Sequence, residues 1–246
     1  MKVLIATEKP FAPVAVSGIR EVVEKAGYEL ALLEKYTEKQ QLLDAVAELV
    51  MGLLVYAVRN FYNGKSGTEL KGKTLGLLAF GNVGRNVARI AKGFGMNIQA
   101  YDAFCSAEAI EAAGVKSVPS REELFATSDV VSLHIPATPE TVKSINGPLV
   151  KTMKKGAILL NTARKEVIDE ETLLAALAER EDLKYISDIK PDADAQFAAQ
   201  FPDRYFATPK KMGAQTAEAN INAGIAAANQ IVGYLKEGIT KFQVNK

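Results

Sequence analysis

The segment from Lys71 to Asp102, KGKTLGLLAFGNVGRNVARIAKGFGMNIQAYD, leaves few folds open. Thr74 to Phe80 is short, apolar and uncharged, as a parallel strand covered on both faces must be. Gly81-Asn82-Val83-Gly84 then permits a sharp turn into a helix expected from Val83 to Phe94. The first N–H groups of such a helix have no partner, and the positive end of its dipole points the same way, so the turn suits a phosphate. A second strand is expected from Asn97 to Tyr101. It ends on Asp102, eighteen residues beyond Gly84. An acid there can accept both hydroxyls of an adenine ribose and repels a 2′-phosphate.

The pattern is G-x-G-x-x-G with Ala79 in place of the first glycine. Taken alone, such a run also fits an ordinary strand-to-helix turn. Strand before, helix after and acid at the next strand end make it a dinucleotide site, with NAD rather than NADP as its ligand. Alanine is the smallest substitute the turn could take.

Composition narrows the partners. With 30 basic and 29 acidic side chains the net charge is +1, which gives no electrostatic footprint for nucleic acid or an anionic membrane. One cysteine, Cys105, and one histidine, His134, cannot build an internal disulfide or a zinc site, so no metal is expected. The longest apolar stretch, Leu49 to Val58, is far short of the ~20 residues of a membrane helix, and a cytoplasmic setting fits. The 246 residues suffice for one large domain or two modest ones.

Along the chain, Lys2 to Ala6, Pro13 to Ala26 and Glu29 to Leu33 read as strand, helix and strand, a small βαβ unit. Thr37 and Gln40 form a capping box for a helix ending near Asn60 or Tyr62, with Leu42, Val46, Leu49, Val50, Leu53 and Ala57 on its apolar stripe. That helix either crosses between domains or lies in the core of one. After the opening motif, strands are expected at Val115 to Val118, Val130 to His134, Ala157 to Leu160 and Leu183 to Ser187. Helices capped by Ser120 and Asp169 come between them. The alternation predicts an α/β fold with a doubly wound parallel sheet. An alanine-rich helix follows from Thr216 or Ala217 to about Lys236, and Lys241 to Val244 has strand character. Ligands of such sheets bind beyond the carboxyl ends of the strands, which singles out Asp102, His134, Arg164, Asp188 and the pair Lys210 and Lys211.

With AFGNVG, Asp102, SLHIPATPET, Asn161-Thr162-Ala163-Arg164 and Asp188 in that order, the chain resembles the D-isomer-specific 2-hydroxyacid dehydrogenases, their phosphoglycerate dehydrogenases most of all. The resemblance implies a Rossmann NAD-binding domain, residues 47–236 with two crossing helices, and a shortened, discontinuous α/β substrate domain from residues 1–46 and 237–246. It implies NAD on Gly81, Asn82, Val83 and Gly84, with Asp102 on the adenosine ribose and Thr162 and Ala163 beside the nicotinamide. Asp188 would hold the carboxamide, and His134 and Gly213 would line the cofactor wall. Arg164 would grip a 2-hydroxy acid's carboxylate, a task for a planar, permanently charged fork. The reaction implied is hydride transfer to NAD from 3-phosphoglycerate, in serine biosynthesis, by a homodimer.

Three departures mark this sequence. Where the family has a histidine as acid and base, Thr208-Pro209-Lys210-Lys211-Met212-Gly213 offers lysines; counting back from Gly213 puts Lys211 there, and Lys210 is the other registration. A lysine can carry the proton if burial or a neighbouring cation draws its pKa toward neutrality. Where the family has a glutamate stands Ala193, flanked by Asp192 and Asp194, either of which could substitute. Finally, Leu43-Asp44-Ala45-Val46 runs straight into the first crossing helix, so about half of the substrate domain is missing. The alternative function is accordingly a truncated NAD-binding module with weak or no turnover.

Overall fold

The computed structural model describes residues 2–7, 13–34, 43–213 and 215–240. In chain order they form β1 (Lys2–Thr7), α1 (Pro13–Lys25), β2 (Glu29–Glu34), α2 (Leu43–Val58), β3 (Thr74–Leu78), α3 (Asn82–Gly93) and β4 (Asn97–Tyr101). There follow α4 (Ala107–Glu111), β5 (Lys116–Ser117), α5 (Arg121–Thr127), β6 (Val130–Leu133), α6 (Gly147–Lys151) and β7 (Ile158–Asn161). The series ends with α7 (Glu170–Glu179), β8 (Lys184–Ser187), α8 (Asp194–Gln200), β9 (Tyr205–Ala207) and α9 (Ala217–Glu237).

The chain divides into two compact units, Met1–Ala45 with Ala214–Lys246, and Val46–Gly213. The first boundary lies between Ala45 and Val46. Residues 214–236, expected in the central domain, instead belong to the terminal unit. The reason is packing: Ala228 of α9 shares one apolar cluster with Ile19 and Val23 of α1. In that unit β1 and β2 pair in parallel from Lys2↔Glu29 to Thr7↔Glu34, completing the expected βαβ.

The central unit is a seven-stranded sheet in the order β5-β4-β3-β6-β7-β8-β9. Every neighbouring pair is parallel. Successive side chains of a strand point to opposite faces, and here they enter two separate cores. Val130, Ile158, Leu160 and Ile186 join residues of α2 and α3 on one face. Val131, Leu159 and Tyr185 join residues of α5, α6, α7 and α8 on the other. This is the doubly wound architecture that the uncharged strands β3, β4, β6 and β7 call for. The chain leaves β3 toward β4 and returns on its other side as β6, so the carboxyl ends of β3 and β6 flank the switch point where such sheets bind ligands.

Local signals account for most boundaries. Ser120 accepts from the Glu123 N–H at 3.0 Å and Asp169 from the Thr172 N–H at 3.3 Å, the two caps legible in sequence. The first crossing helix stops at Val58, short of Tyr62, because Asn60, Phe61 and Tyr62 turn left-handed, with φ of 50°, 57° and 55°. Lys184 secures that turn, its Nζ donating to the Ala57 carbonyl at 2.8 Å and to Asn60 Oδ1 at 2.7 Å. From Ala47 onward α2 is a core helix of the central unit, burying Val50, Leu53, Leu54 and Ala57. The capping box at Thr37 and Gln40, and the strand character of Lys241 to Val244, lie outside the described residues.

Candidate active site

The glycine turn opens with a strained residue. Ala79 has φ +80°, a region L side chains rarely adopt. Its carbonyl oxygen lies 2.6 Å from where a Cβ on Gly84 would sit, so α3 can approach β3 this closely only with glycine at position 84. A Cβ on Gly81 would meet nothing within 4 Å. The first bond of α3 is Arg85 N–H to the Gly81 carbonyl, at 2.9 Å. Among the described residues no acceptor lies on the N–H groups of Asn82, Val83 or Gly84. Amides without an acceptor at a helix start are what an anion needs. Left-handed backbone costs a non-glycine residue roughly 1–2 kcal/mol, part of which the stiffer unfolded chain of alanine returns. Ala79→Gly is therefore expected to stabilise the chain by about 0.5–1 kcal/mol, read as a higher urea midpoint at unchanged slope.

Asp102 stands at the end of β4 as expected, and its carboxylate is partly committed. Oδ2 accepts from the Phe80 N–H at 2.6 Å, and Oδ1 accepts from the N–H groups of Phe104 and Cys105 at 2.7 and 2.9 Å. These bonds tie the turn after β3 to the turn after β4. A carboxylate offers about four lone-pair positions, so the one left on Oδ2 suits a single hydroxyl rather than the two read from sequence. Arg85 lies over the Phe80 ring, 4.6 Å from its centroid, and reaches Cys105 Sγ at 3.3 Å.

Three buried polar atoms have no partner among the described residues: Ser132 Oγ within β6, and His134 Nε2 and Thr162 Oγ1 just past the ends of β6 and β7. His134 and Thr162 follow directly on Leu133 and Asn161, the last paired residues of the two strands. A buried donor or acceptor left unpaired is costly, so His134 and Thr162, at the strand ends, are suited to a polar group of a bound ligand. Burial pushes the His134 imidazole down to about 4 from its ordinary 6.5, leaving it neutral at neutral pH. The sequence names His134 and Thr162 but passes over Ser132.

Arg164 and Lys211 converge. Arg164 Nη1 donates to the Ala163 carbonyl at 2.8 Å, and Lys211 Nζ donates to the same oxygen at 3.3 Å. The two cationic nitrogens are thus no farther apart than those two lengths combined. Arg164 is half-buried and has no carboxylate partner among the described residues. The turn that carries it is braced by Asn161, which sequence reasoning missed: Oδ1 accepts from the Ala163 N–H at 3.0 Å and Nδ2 donates to the Arg164 carbonyl at 2.9 Å. A fully buried amide closing the otherwise aliphatic strand ILLN was the available signal.

Asp188 is fully buried, and accepts from the N–H groups of Met212 and Gly213, both at 2.9 Å. Asp192 pairs with Lys165, and Asp194 with Lys190 and the Tyr205 hydroxyl, so both acids flanking Ala193 already have partners. Ala193 itself caps α8, and its N–H and that of Asp192 donate to the Glu170 carboxylate at 2.7 and 3.0 Å. Among the described residues no cluster of three or more His, Cys, Asp or Glu could hold a metal, and no helix is long and apolar enough to cross a membrane.

Residues 42–204 match the family model described as D-isomer specific 2-hydroxyacid dehydrogenase, NAD binding domain. The chain belongs to this family. Among its relatives is a D-3-phosphoglycerate dehydrogenase of Methanocaldococcus jannaschii, 36% identical over 217 residues, which are 82% of this chain and 41% of that one. A hydroxypyruvate reductase of Thermotoga maritima is 37% identical over 204 residues, 76% of this chain and 65% of that one. The chain thus spans less than two thirds of the length of either. A solved structure, the NAD+-bound 3-phosphoglycerate dehydrogenase of Entamoeba histolytica, superimposes with a TM-score of 0.86 at 38% identity, covering 100% of this chain and 99% of that one.

NAD is the cofactor of this dehydrogenase family member, and the residues present fit it. The amides of Asn82 and Val83 have no acceptor among the described residues, a Cβ on Gly81 would meet nothing within 4 Å, and Asp102 keeps an acceptor at the end of β4. The unpartnered atoms of His134 and Thr162 lie past the ends of the next two strands.

Proposed function

We propose that the chain is an NAD-dependent oxidoreductase interconverting a 2-hydroxy acid and its 2-oxo form, with 3-phosphoglycerate as substrate. The observation that carries this reading is the meeting of Arg164 and Lys211 on one carbonyl oxygen. A 2-oxo acid needs a fixed cation for its carboxylate and a proton donor for the oxygen that becomes the hydroxyl. Arg164 cannot release its proton and serves the first need; Lys211 can, and serves the second. Bound NAD supplies or receives the hydride.

In this reading the N–H groups of Asn82 and Val83 hold the pyrophosphate and Asp102 the adenosine ribose. Thr162, Ala163, His134, Asp188 and Gly213 border the nicotinamide end. The relatives' names support a three-carbon acid, and the protein would act as a homodimer in the cytoplasm, at the entry to serine biosynthesis.

A second reading, a truncated module that binds NAD without turnover, is favoured by the 41% of the Methanocaldococcus jannaschii enzyme that the chain spans. NADH titration by calorimetry, together with NADH oxidation by the 2-oxo forms of 3-phosphoglycerate and glycerate, separates the two. Turnover is expected, faster with the phosphorylated acid. Binding without turnover would leave the module, and absence of binding would remove both.

A further inference from the structure

We propose that Asp188 is a positioning residue for Lys211, holding the loop that carries it. This rests on the reading of Lys211 as proton carrier given above.

Asp188 stands just past β8, and its carboxylate takes both amides that follow Lys211, Met212 on Oδ1 and Gly213 on Oδ2. On the other side of Lys211, Thr208 Oγ1 lies 2.9 Å from Asp188 Oδ1 and 2.8 Å from the Lys210 carbonyl oxygen. Its single proton serves one of these acceptors at a time, and either bond draws the Thr208–Lys210 stretch toward the same buried anion. The loop is therefore gripped before and after Lys211, while the Lys211 side chain extends to the Ala163 carbonyl. Gly213 fits the close approach because a Cβ there would lie 3.2 Å from Asp188 Oδ2 and 3.1 Å from Val46 Cγ2.

Three donors surround the Asp188 carboxylate, and of its about four lone-pair positions at least one remains, as on Asp102. That position suits the single N–H of the carboxamide that the family resemblance assigned to it, so the staple is a second task of the same side chain. A buried carboxylate that accepts amides from one short loop, with no cation bonded to it among the described residues, is suited to fixing backbone.

Asp188→Asn tests this directly. An amide presents one oxygen and one N–H2, so it can serve the Met212 side or the Gly213 side but not both. Expected is a fall in kcat of order 10²-fold, the cost of displacing a reacting group by about an ångström, with a smaller change in the KM for NADH. In a Lys211→Ala background the same substitution should cost nothing further, since a group acting through Lys211 has no effect once Lys211 is gone. Thr208→Val, which keeps the carboxylate, should shift kcat in the same direction by less.

Amide hydrogen exchange in the segment 208–213 provides a readout that needs no turnover, and Asp188→Asn should accelerate it about 10- to 100-fold. A raised KM for NADH at constant kcat, full additivity with Lys211→Ala, or unchanged exchange would each overturn the proposal. Should the unaltered chain show no turnover, the functional reading fails on its own, and the exchange measurement alone then decides whether Asp188 holds the loop.

Discussion

Lys211→Ala is expected to lower kcat for 2-oxo acid reduction by about 10²- to 10⁴-fold, the range for losing a positioned general acid. Lys210→Ala should change it by no more than about twofold, as surface substitutions do. The neighbours differ because the loop turns them to different surroundings. The Lys211 amine lies on the Ala163 carbonyl beside the Arg164 guanidinium. Lys210 is exposed, and its contribution to the loop is its backbone carbonyl, near the Thr208 hydroxyl. Lys211→Arg separates two roles that a cation could play. It keeps the charge that attracts a carboxylate but cannot give up a proton at any working pH, so KM should hold while kcat falls nearly as far as in the alanine variant. Initial rates against 2-oxo acid concentration for the three variants check both statements. A larger loss at Lys210 would exchange their assignments, and full activity in all three would remove lysine from the chemistry.

How far the sequence carries can be followed at particular residues. Strands β3, β4, β6 and β7 announce themselves because a parallel sheet covered on both faces disfavours charge, β8 does so through its apolar run in spite of Lys184, and Ser120 and Asp169 announce helices because capping needs only a short side chain at one position. The elements that escape notice lack such signals. In α8 Phe197 is the one buried residue among Asp, Gln and Ala, and its cap, Ala193, makes no side-chain bond. Three-residue β9 exists because it pairs with the edge of β8, a tertiary fact. Helix α6 begins Gly-Pro, which reads as a turn until Asn146 is seen accepting from the Leu149 N–H.

The site is legible in the same uneven way. Residue types declare what can bind an anion or carry a proton, so Asn82, Asp102, Arg164 and Lys211 stand out. Which carboxylate oxygen is already spoken for is a matter of backbone geometry. Asp102 and Asp188 both look like ligand contacts in sequence, yet each accepts amides from its own chain. Ala193, a missing acid by comparison with the family, is a helix start whose amide Glu170 accepts.

His134 makes the fold acid-sensitive over a window of its own. In the native chain burial holds its pKa at about 4, against 6.5 when exposed. Between those values the unfolded chain binds a proton that the native chain refuses, so stability falls as pH drops from 6.5 toward 4 and is flat above that window. The full difference is of order 3 kcal/mol, and about 2 kcal/mol of it should be lost between pH 7.5 and 5. The carboxylates of the unfolded chain, with pKa values near 4, scarcely titrate above pH 5. Since the chain has one histidine, the part of the slope that a histidine substitution removes belongs to His134. Urea unfolding at the two pH values gives the difference directly, and His134→Gln should flatten it. An equal slope in the variant would mean that the imidazole titrates normally in the native state, and that the atom without a partner behind Gly84 is reached by water. The same neutrality bears on mechanism. An imidazole that stays uncharged down to about pH 4 is a poor proton donor near neutral pH, which agrees with the proposal that Lys211 carries the proton.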